Sequence, residues 1–346
     1  MQEKKEKKIK IKNQTIPMEK TFKIMRKSIY TFLQNYHHFT TLAALLALPF
    51  SASILLSQAF LPSSSSSLIP TIYSRLQNLF DAAGFPPSSE FFTILNLKLS
   101  QTISSSIFTF PFTLTFLLIS KAFVIQFFNN TQKRQPLSQS FFSTIALYNP
   151  LLVTYICNSI LILSANATVF TVLFFAFNVL DGFGFYSSNS LLFLSAAAAV
   201  LYSIVLANAL IIGNLALVLS GMERSGGYMA ILKACVMIRG RTSTALSLAL
   251  PLNFGLAAIE ALFQFRVVRA FNVDGKFGPS MVFEGVFIAY LYSIVVVLDT
   301  VVSCLFFKSC KVGSLMEDQE GDLPRQIPRL QTNKIQNWYR TSKGSK

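Results

Sequence analysis

Four ionisable side chains lie within long apolar stretches of this sequence, where a charge is costly. They are Lys121, Glu260, Glu284 and Asp299. An ionised group near the centre of a lipid bilayer costs about 3 kcal/mol on insertion scales, so each needs a partner of opposite charge, water or the membrane boundary. Charges in such positions often form the proton or ion relays of membrane proteins. These residues are therefore the first candidates for chemistry.

Lys121 and Asp299 are matched in depth. Lys121 lies seven residues before the end of the apolar stretch 101–128, and Asp299 lies eight residues before the end of 281–307. At about 1.5 Å per residue, both lie about 10–12 Å from the same membrane boundary. We expect the two side chains to be in contact. Such an intramembrane pair could relay protons or ions in a transporter, or it could fix the register between two helices.

A second group of charges brackets the turn between two apolar stretches. Glu260 comes near the end of one stretch and Glu284 near the start of the next, with Arg266 and Arg269 between them. We expect this cluster at the outer membrane boundary, where either arginine could pair with either glutamate. A lipid-modifying enzyme would need several acidic groups at one leaflet, and Glu260 and Glu284 are the only candidates for that role.

Histidine, a residue of many catalytic and metal sites, is missing from the apolar stretches. His37 and His38, the only histidines, are adjacent at one boundary, so they cannot build a buried His-based metal site or a Ser-His triad. The glycine-rich bend at 181–184 lacks the Lys-Ser/Thr that completes a phosphate-binding loop. We therefore predict a protein that is not an enzyme and that holds no metal or cofactor.

The cysteines do not suggest a disulfide framework, because in the topology argued below all of them fall within spans or on the cytoplasmic side. Two of them, Cys304 and Cys310, lie beside Lys308 and Lys311 at the inner end of the last apolar stretch. Cysteines in this setting are candidates for palmitoylation. The alternative is that both are free thiols packed at a helix end.

The composition indicates that the apolar stretches lie in lipid and not in water. The chain is 52% hydrophobic and only 13% charged, with a mean hydropathy of +0.50, whereas soluble domains are about 25% charged. A membrane span needs about 20 mostly apolar residues, and long apolar runs without alternation favour helices over strands. We predict an all-α polytopic membrane protein, a bundle of six transmembrane helices with interfacial amphipathic helices. The spans are 39–61, 101–128, 143–180, 190–219, 242–265 and 281–307.

The basic residues decide the number of crossings. Six spans with a cytoplasmic N-terminus place 25 of the 30 lysines and arginines on the inner side. Splitting 143–180 into two spans would leave only 16 there, against the positive-inside rule. We therefore predict cytoplasmic N- and C-termini in an integral protein of the endomembrane system or the plasma membrane. The segment 143–180 is then one bent span or includes a re-entrant segment.

The remaining segments flank or connect the transmembrane domain, 39–307. Residues 1–17 are predicted to be a disordered basic tail, and 308–346 a largely disordered cytoplasmic tail. Residues 18–38 have apolar side chains every three or four positions with basic residues between them, the pattern of an interfacial amphipathic helix on an anionic leaflet. A plain topological anchor before the first span would need the same charges. Further interfacial helices are predicted at 70–84 and about 227–240.

Three parts of the sequence carry a resemblance to known proteins: Leu147 to Pro150, Asn214 to Ser220 with Glu223, and Ala234 to Arg241 with Pro251. With these residues the chain resembles, over about 30–310, a plant family of uncharacterised six-span membrane proteins. More distantly, the layout is similar to the membrane portion of some glycerophosphodiester phosphodiesterases. This chain has no counterpart of their soluble catalytic domain, so the resemblance implies a membrane fold and their enzymatic activity is not carried over.

These observations predict a multi-pass integral membrane protein that organises lipid or partner proteins in the membrane. The expected partners are anionic lipids of the inner leaflet and other proteins. No nucleic-acid partner is predicted, because topology and lipid account for the net charge of +15. The alternative function is a small-solute or ion transporter that uses Lys121 and Asp299.

Overall fold

The computed structural model describes the backbone of residues 17–60, 68–82, 90–130, 137–182, 188–274 and 278–343, and describes side chains only within 21–312. The predicted basic tail 1–17 therefore lies almost wholly outside the described residues. The described chain is all-helical. Its helices are α1 (Pro17–Gln34), α2 (Tyr36–Leu42), α3 (Leu48–Phe60), α4 (Leu68–Ala82), α5 (Glu90–Phe112), α6 (Leu118–Asn130), α7 (Leu137–Gly182), α8 (Ser188–Glu223), α9 (Tyr228–Ile238), α10 (Thr242–Phe263), α11 (Arg269–Asp274) and α12 (Pro279–Lys343).

Six helical stretches of the described chain are long and apolar enough to cross a membrane, which confirms the predicted number of candidate spans. Each is at least 22 residues long, and about 20 are needed. The structural bounds extend several of the predicted ones by one or more helical turns. The candidate spans are Tyr36–Ser57, Thr93–Asn129, Thr144–Ala176, Ala196–Glu223, Thr242–Phe271 and Pro279–Val312.

The third candidate span belongs to one unbroken helix. The 46 residues of α7 run from Leu137 to Gly182 without interruption, with Pro150 inside the helix. Of the two forms considered for 143–180, the structure has the single long helix and not the re-entrant segment. At about 1.5 Å per residue, a helix of 46 residues extends well beyond a hydrocarbon core about 30 Å thick. A proline inside a helix removes one backbone hydrogen bond and allows the helix to bend.

Three spans contain a π-helical turn of five residues. These turns are Ala43–Ala47, Thr113–Leu117 and Gln264–Val268. The second one begins two residues after Pro111, whose missing N–H leaves a carbonyl one turn earlier without its usual donor. The Thr115 hydroxyl in turn donates to the Pro111 carbonyl at 2.8 Å. The π-helical turn thus lies where the proline disturbs the backbone hydrogen bonds of an apolar helix.

A hydrophobic core at one end of the bundle joins the first, fifth and sixth spans. Its buried residues come from α3, from the end of the fifth span and from the first half of α12. Ile288 and Ala289, together with Tyr292 about one turn later, present one face of α12 to this core. The core also contains Phe50, Leu55, Phe263, Val267 and Val296.

The chain forms two compact units, Met1–Cys304 and Leu305–Lys346. In the second unit the backbone is helical as far as Lys343. The sequence predicts little fixed structure for 308–346, and a charged, solvated helix can still exchange with coil. That expectation therefore stays a prediction.

Candidate functional site

Lys121 is buried inside the bundle, as its position in the sequence predicts. It lies on α6, and only 7% of it is exposed. Its ammonium nitrogen Nζ donates a hydrogen bond to Oδ1 of Asn214 on α8, with 3.3 Å between the two atoms. A buried ammonium needs such an acceptor, because burying a charge without one is very unfavourable. The nearest polar contact of Lys121 is therefore an amide.

Asp299 lies on α12, partly buried. Its carboxylate and the Lys121 ammonium carry opposite charges and lie close enough to attract each other. Among the described residues, however, neither side chain has an ion pair with N···O at or below 4.0 Å. The predicted contact between Lys121 and Asp299 therefore stays a prediction, and the direct partner of the lysine is Asn214. A relay role for the pair stays a prediction.

A second amide lies at the same level of the bundle. Asn158 on α7 is only 8% exposed, and its Oδ1 atom has no hydrogen-bond donor among the described residues. The side chain packs against Gly213, the neighbour of Asn214 on α8, where any larger residue would collide with the amide. Helices α6, α7 and α8 therefore each contribute a polar group to one layer of the span. Neither Asn158 nor Asn214 stood out in the sequence, which has asparagines in several spans.

The charge cluster that the sequence places at the outer boundary divides into separate contacts. Arg266 forms an ion pair with Glu284 at 2.8 Å, whereas Glu260 accepts a hydrogen bond from the Tyr292 hydroxyl at 3.1 Å. The guanidinium of Arg269 lies over the Phe265 ring, 5.4 Å from its centroid. The sequence suggested the charged residues but not their aromatic partners.

The Arg266–Glu284 ion pair should contribute little to stability. The side chains of its two residues are 54% and 39% exposed, and exposed pairs contribute about 0.2–1 kcal/mol. We expect Arg266→Gln to lower the free energy of unfolding, measured by SDS titration in mixed micelles, by less than about 1 kcal/mol. A loss of several kcal/mol would mean that the pair is shielded from solvent and that this end of the bundle depends on it.

The cysteines differ sharply in accessibility. All four are free thiols; Cys304 and Cys310 are buried, Cys157 is half-buried, and Cys235 on α9 is exposed. An acyl group can reach the thiol of Cys304 or Cys310 only if the residues packed over that thiol move apart. Lipidation there therefore stays a prediction. Among the described residues, no group of three or more His, Cys, Asp or Glu side chains could hold a metal ion.

The N-terminal helix α1 has three distinct sides. One side, with Thr21, Ser28 and Phe32, is buried, and the helix lies against α10. The next side exposes large apolar residues, Phe22, Ile29 and Leu33, with exposed fractions of 71%, 43% and 62%. The third side exposes basic residues, Lys23, Arg26 and Lys27. A helix with this arrangement can contact protein, hydrocarbon and phosphate at once.

The model of one protein family, described as a domain of unknown function (DUF8558), matches residues 12–316. The chain belongs to the DUF8558 family. No curated protein matches it, and no solved structure matches it. The DUF8558 region covers α1, all six candidate spans, the Lys121–Asp299 level and α9, so every candidate site described above lies within the family domain.

Proposed function

We propose that this DUF8558 protein is a non-enzymatic multi-pass membrane protein that organises anionic lipid in one leaflet. The observation that supports this function is the three-sided helix α1. Its buried side holds the helix on α10, which leaves the exposed apolar and basic sides free to meet a membrane. Basic residues on such a surface each contribute about 1 kcal/mol of attraction to anionic lipid.

The location and orientation form part of the same proposal. The positive-inside rule favours a cytoplasmic N-terminus, and the cytoplasmic leaflet carries the anionic lipids of most cell membranes. The protein then belongs to the endomembrane system or the plasma membrane, with α1 on its cytosolic face. Partner proteins could also bind the basic side of α1, and they are the other component that the protein would organise.

Reversing the charges of α1 should abolish the preference for anionic lipid. In the variant Lys23→Glu/Arg26→Glu/Lys27→Glu, three attractions of about 1 kcal/mol become repulsions. We expect anionic lipid bound to the purified protein to fall at least about tenfold, because 1.4 kcal/mol corresponds to a factor of ten. The measurement is the ratio of phosphatidylserine to phosphatidylcholine retained from mixed nanodiscs, read by native mass spectrometry.

A matched control reverses charges at the opposite end of the bundle. Arg75 and Lys98 are both exposed, and the double variant Arg75→Glu/Lys98→Glu should leave the lipid ratio unchanged. The proposal is wrong if the wild-type protein retains both lipids equally. It is equally wrong if the α1 variant and the control lose anionic lipid to the same extent.

The second candidate function is a small-solute or ion transporter that uses Lys121 and Asp299. One observation favours it: Asp299 lies within a candidate span, yet among the described residues its carboxylate has no cationic nitrogen within the 4.0 Å of an ion pair. An exchangeable cation or proton would fill this need. The near-complete burial of Lys121 favours the lipid-organising function, because a transporter needs a solvated path to its charges.

A further inference from the structure

Helix α9 is too short to cross a membrane and too apolar for a helix in water. Its 11 residues, Tyr228–Ile238, span about 16 Å, whereas the hydrocarbon core is about 30 Å thick. Four residues face the bundle and are buried: Ala230, Ile231, Ala234 and Ile238. The opposite side exposes four more apolar residues: Tyr228, Met229, Leu232 and Val236.

The only charged side chain of α9 is paired. Lys233 forms an ion pair with Glu223, at the end of α8, with 3.1 Å between Nζ and Oε2. The helix therefore has apolar surface around nearly its whole circumference, and Val236 on the outer side is 74% exposed. Helices that are hydrophobic all round occur inside protein cores or in lipid. Since α9 is buried against the bundle on one side only, we expect its other side to contact lipid.

The N-terminal end of α9 is fixed to the third span. The backbone N–H of Gly227 donates to the Thr154 hydroxyl oxygen at 2.8 Å, in a buried position. Gly226 lies so close to Pro150 that a Cβ atom there would come within 2.8 Å of the proline Cα. Gly227 also has a φ of +77°, which other residues rarely adopt. The helix is therefore held at a set depth.

The C-terminal end of α9 carries the charges that mark a membrane surface. The turn into α10 contains Arg239 and Arg241, separated by Gly240 with a φ of +79°, and Arg239 is exposed. Four candidate spans separate α1 from α9 along the chain. An even number of crossings places both helices at the same end of the bundle, so their basic residues share one leaflet.

We infer that α9 lies within the upper hydrocarbon region of this leaflet, where its exposed side binds the acyl chains of anionic phospholipids and Arg239 and Arg241 bind their phosphates. This inference deepens the proposed lipid function and rests on it for the identity of the leaflet lipid. The exposed apolar residues of α9 contact the acyl chains, and the arginine guanidinium groups pair with the lipid phosphates. Helix α9 would then define a lipid position beside the bundle, while α1 attracts lipid from the surface.

The native Cys235 makes the position of α9 measurable in the unaltered protein. It is the exposed cysteine on α9, so a thiol-reactive, environment-sensitive fluorophore can report from this helix. We expect nitroxide placed near the top of the acyl chain to quench it at least about twice as strongly as aqueous iodide, because inserted interfacial helices lie about 5–10 Å below the headgroup boundary. The probe membranes are nanodiscs of phosphatidylcholine with phosphatidylserine.

Labelling of Cys235→Ser gives the background from the other cysteines. The inference is wrong if iodide quenches the Cys235 signal more strongly than the nitroxide lipid does, since α9 would then face water. This failure would leave the α1 charge-reversal result untouched. Conversely, a failure of the α1 test has no bearing on the depth of Cys235, so the two proposals fail separately.

A charge on the outer side of α9 provides a second test. Val236→Glu should sharply reduce the yield of folded protein, because the carboxylate would enter hydrocarbon. Thr242→Glu, at an exposed position in the first turn of α10, is the control and should fold normally. If both variants fold equally well, the outer side of α9 is in water and the inference fails.

The headgroup component is tested with Arg239→Gln/Arg241→Gln. We expect this variant to keep the Cys235 quenching pattern of the parent in phosphatidylcholine. It should lose at least about half of the phosphatidylserine retained by the parent, since each basic residue contributes about 1 kcal/mol. Unchanged retention of phosphatidylserine would refute the assignment of the phosphates to these two arginines.

Discussion

Replacing Lys121 alone by methionine should lower the free energy of unfolding by a few kcal/mol, with an upper limit of about 3–5 kcal/mol, the cost of removing one partner of a buried ion pair. Methionine matches the length of the lysine stem, so packing changes little. Asp299 would lose the ammonium with which it interacts, and Asn214 would lose its donor. We expect the effect in SDS-titration unfolding measured in mixed micelles.

The double variant Lys121→Met/Asp299→Leu should be more stable than Lys121→Met. The double variant leaves no Asp299 charge without a partner. Replacing two interacting buried charges by apolar residues often changes the free energy of unfolding little. The remaining loss comes from the unsatisfied Asn214 amide, about 1–3 kcal/mol. Lys98→Met, at an exposed lysine on α5, controls for the substitution itself. If the double variant loses as much stability as Lys121→Met and Asp299→Leu lose in sum, Lys121 and Asp299 do not interact.

The same double variant separates the two candidate functions. A lipid-organising protein should keep its phosphatidylserine preference without Lys121 and Asp299, because α1 carries that preference. A transporter that uses the pair should lose all uptake in proteoliposomes. Retained uptake of any solute by the double variant would exclude the pair as the transport site.

Much of the fold was predictable because hydropathy acts over long windows. A membrane span needs about 20 apolar residues, and the six apolar runs all became helices of sufficient length. The depth of a residue follows from its distance to a helix end, and Lys121 is indeed buried within a candidate span. Depth along a helix axis was therefore readable from the sequence.

The side of each helix that faces its neighbours could not be predicted from the sequence. The partner of Lys121 at hydrogen-bond distance is Asn214 on α8, and which of several asparagines faces the lysine depends on how α8 is rotated against α6. The hydrogen bond from Tyr292 to Glu260 has the same origin. When every side of a helix is apolar, as in lipid, the hydrophobic pattern no longer tells which side faces the protein.

Helix α1 and the turn before α9 show a second limit. The spacing of apolar residues predicts an amphipathic helix near 18–38, but a two-sided pattern cannot reveal that α1 also packs on α10. Gly226 and Gly227 predict that a helix is interrupted at this point. That Gly226 lies against Pro150 depends on a contact between residues far apart in sequence.

This contact gives the last prediction: Gly226→Ala should destabilise the protein by about 1–3 kcal/mol, the usual cost of overpacking. The new Cβ would lie 2.8 Å from both the Cα and the carbonyl oxygen of Pro150. Because these are backbone atoms, the turn must move, and the buried hydrogen bond from Gly227 to Thr154 would weaken with it. The measurement is again SDS-titration unfolding, together with the quenching of a fluorophore on Cys235.

Gly255→Ala is the matched control, with the opposite expected sign. No atom lies within 4 Å of a Cβ at Gly255, which lies in the interior of α10, where alanine is favoured over glycine by about 1 kcal/mol. Thr154→Val should reproduce the effect of Gly226→Ala, since it leaves the Gly227 N–H buried without an acceptor, at a cost of about 1–3 kcal/mol. If Gly226→Ala behaved like Gly255→Ala, and Cys235 kept its depth in both, α9 would be positioned by lipid alone and not by its attachment to the third span.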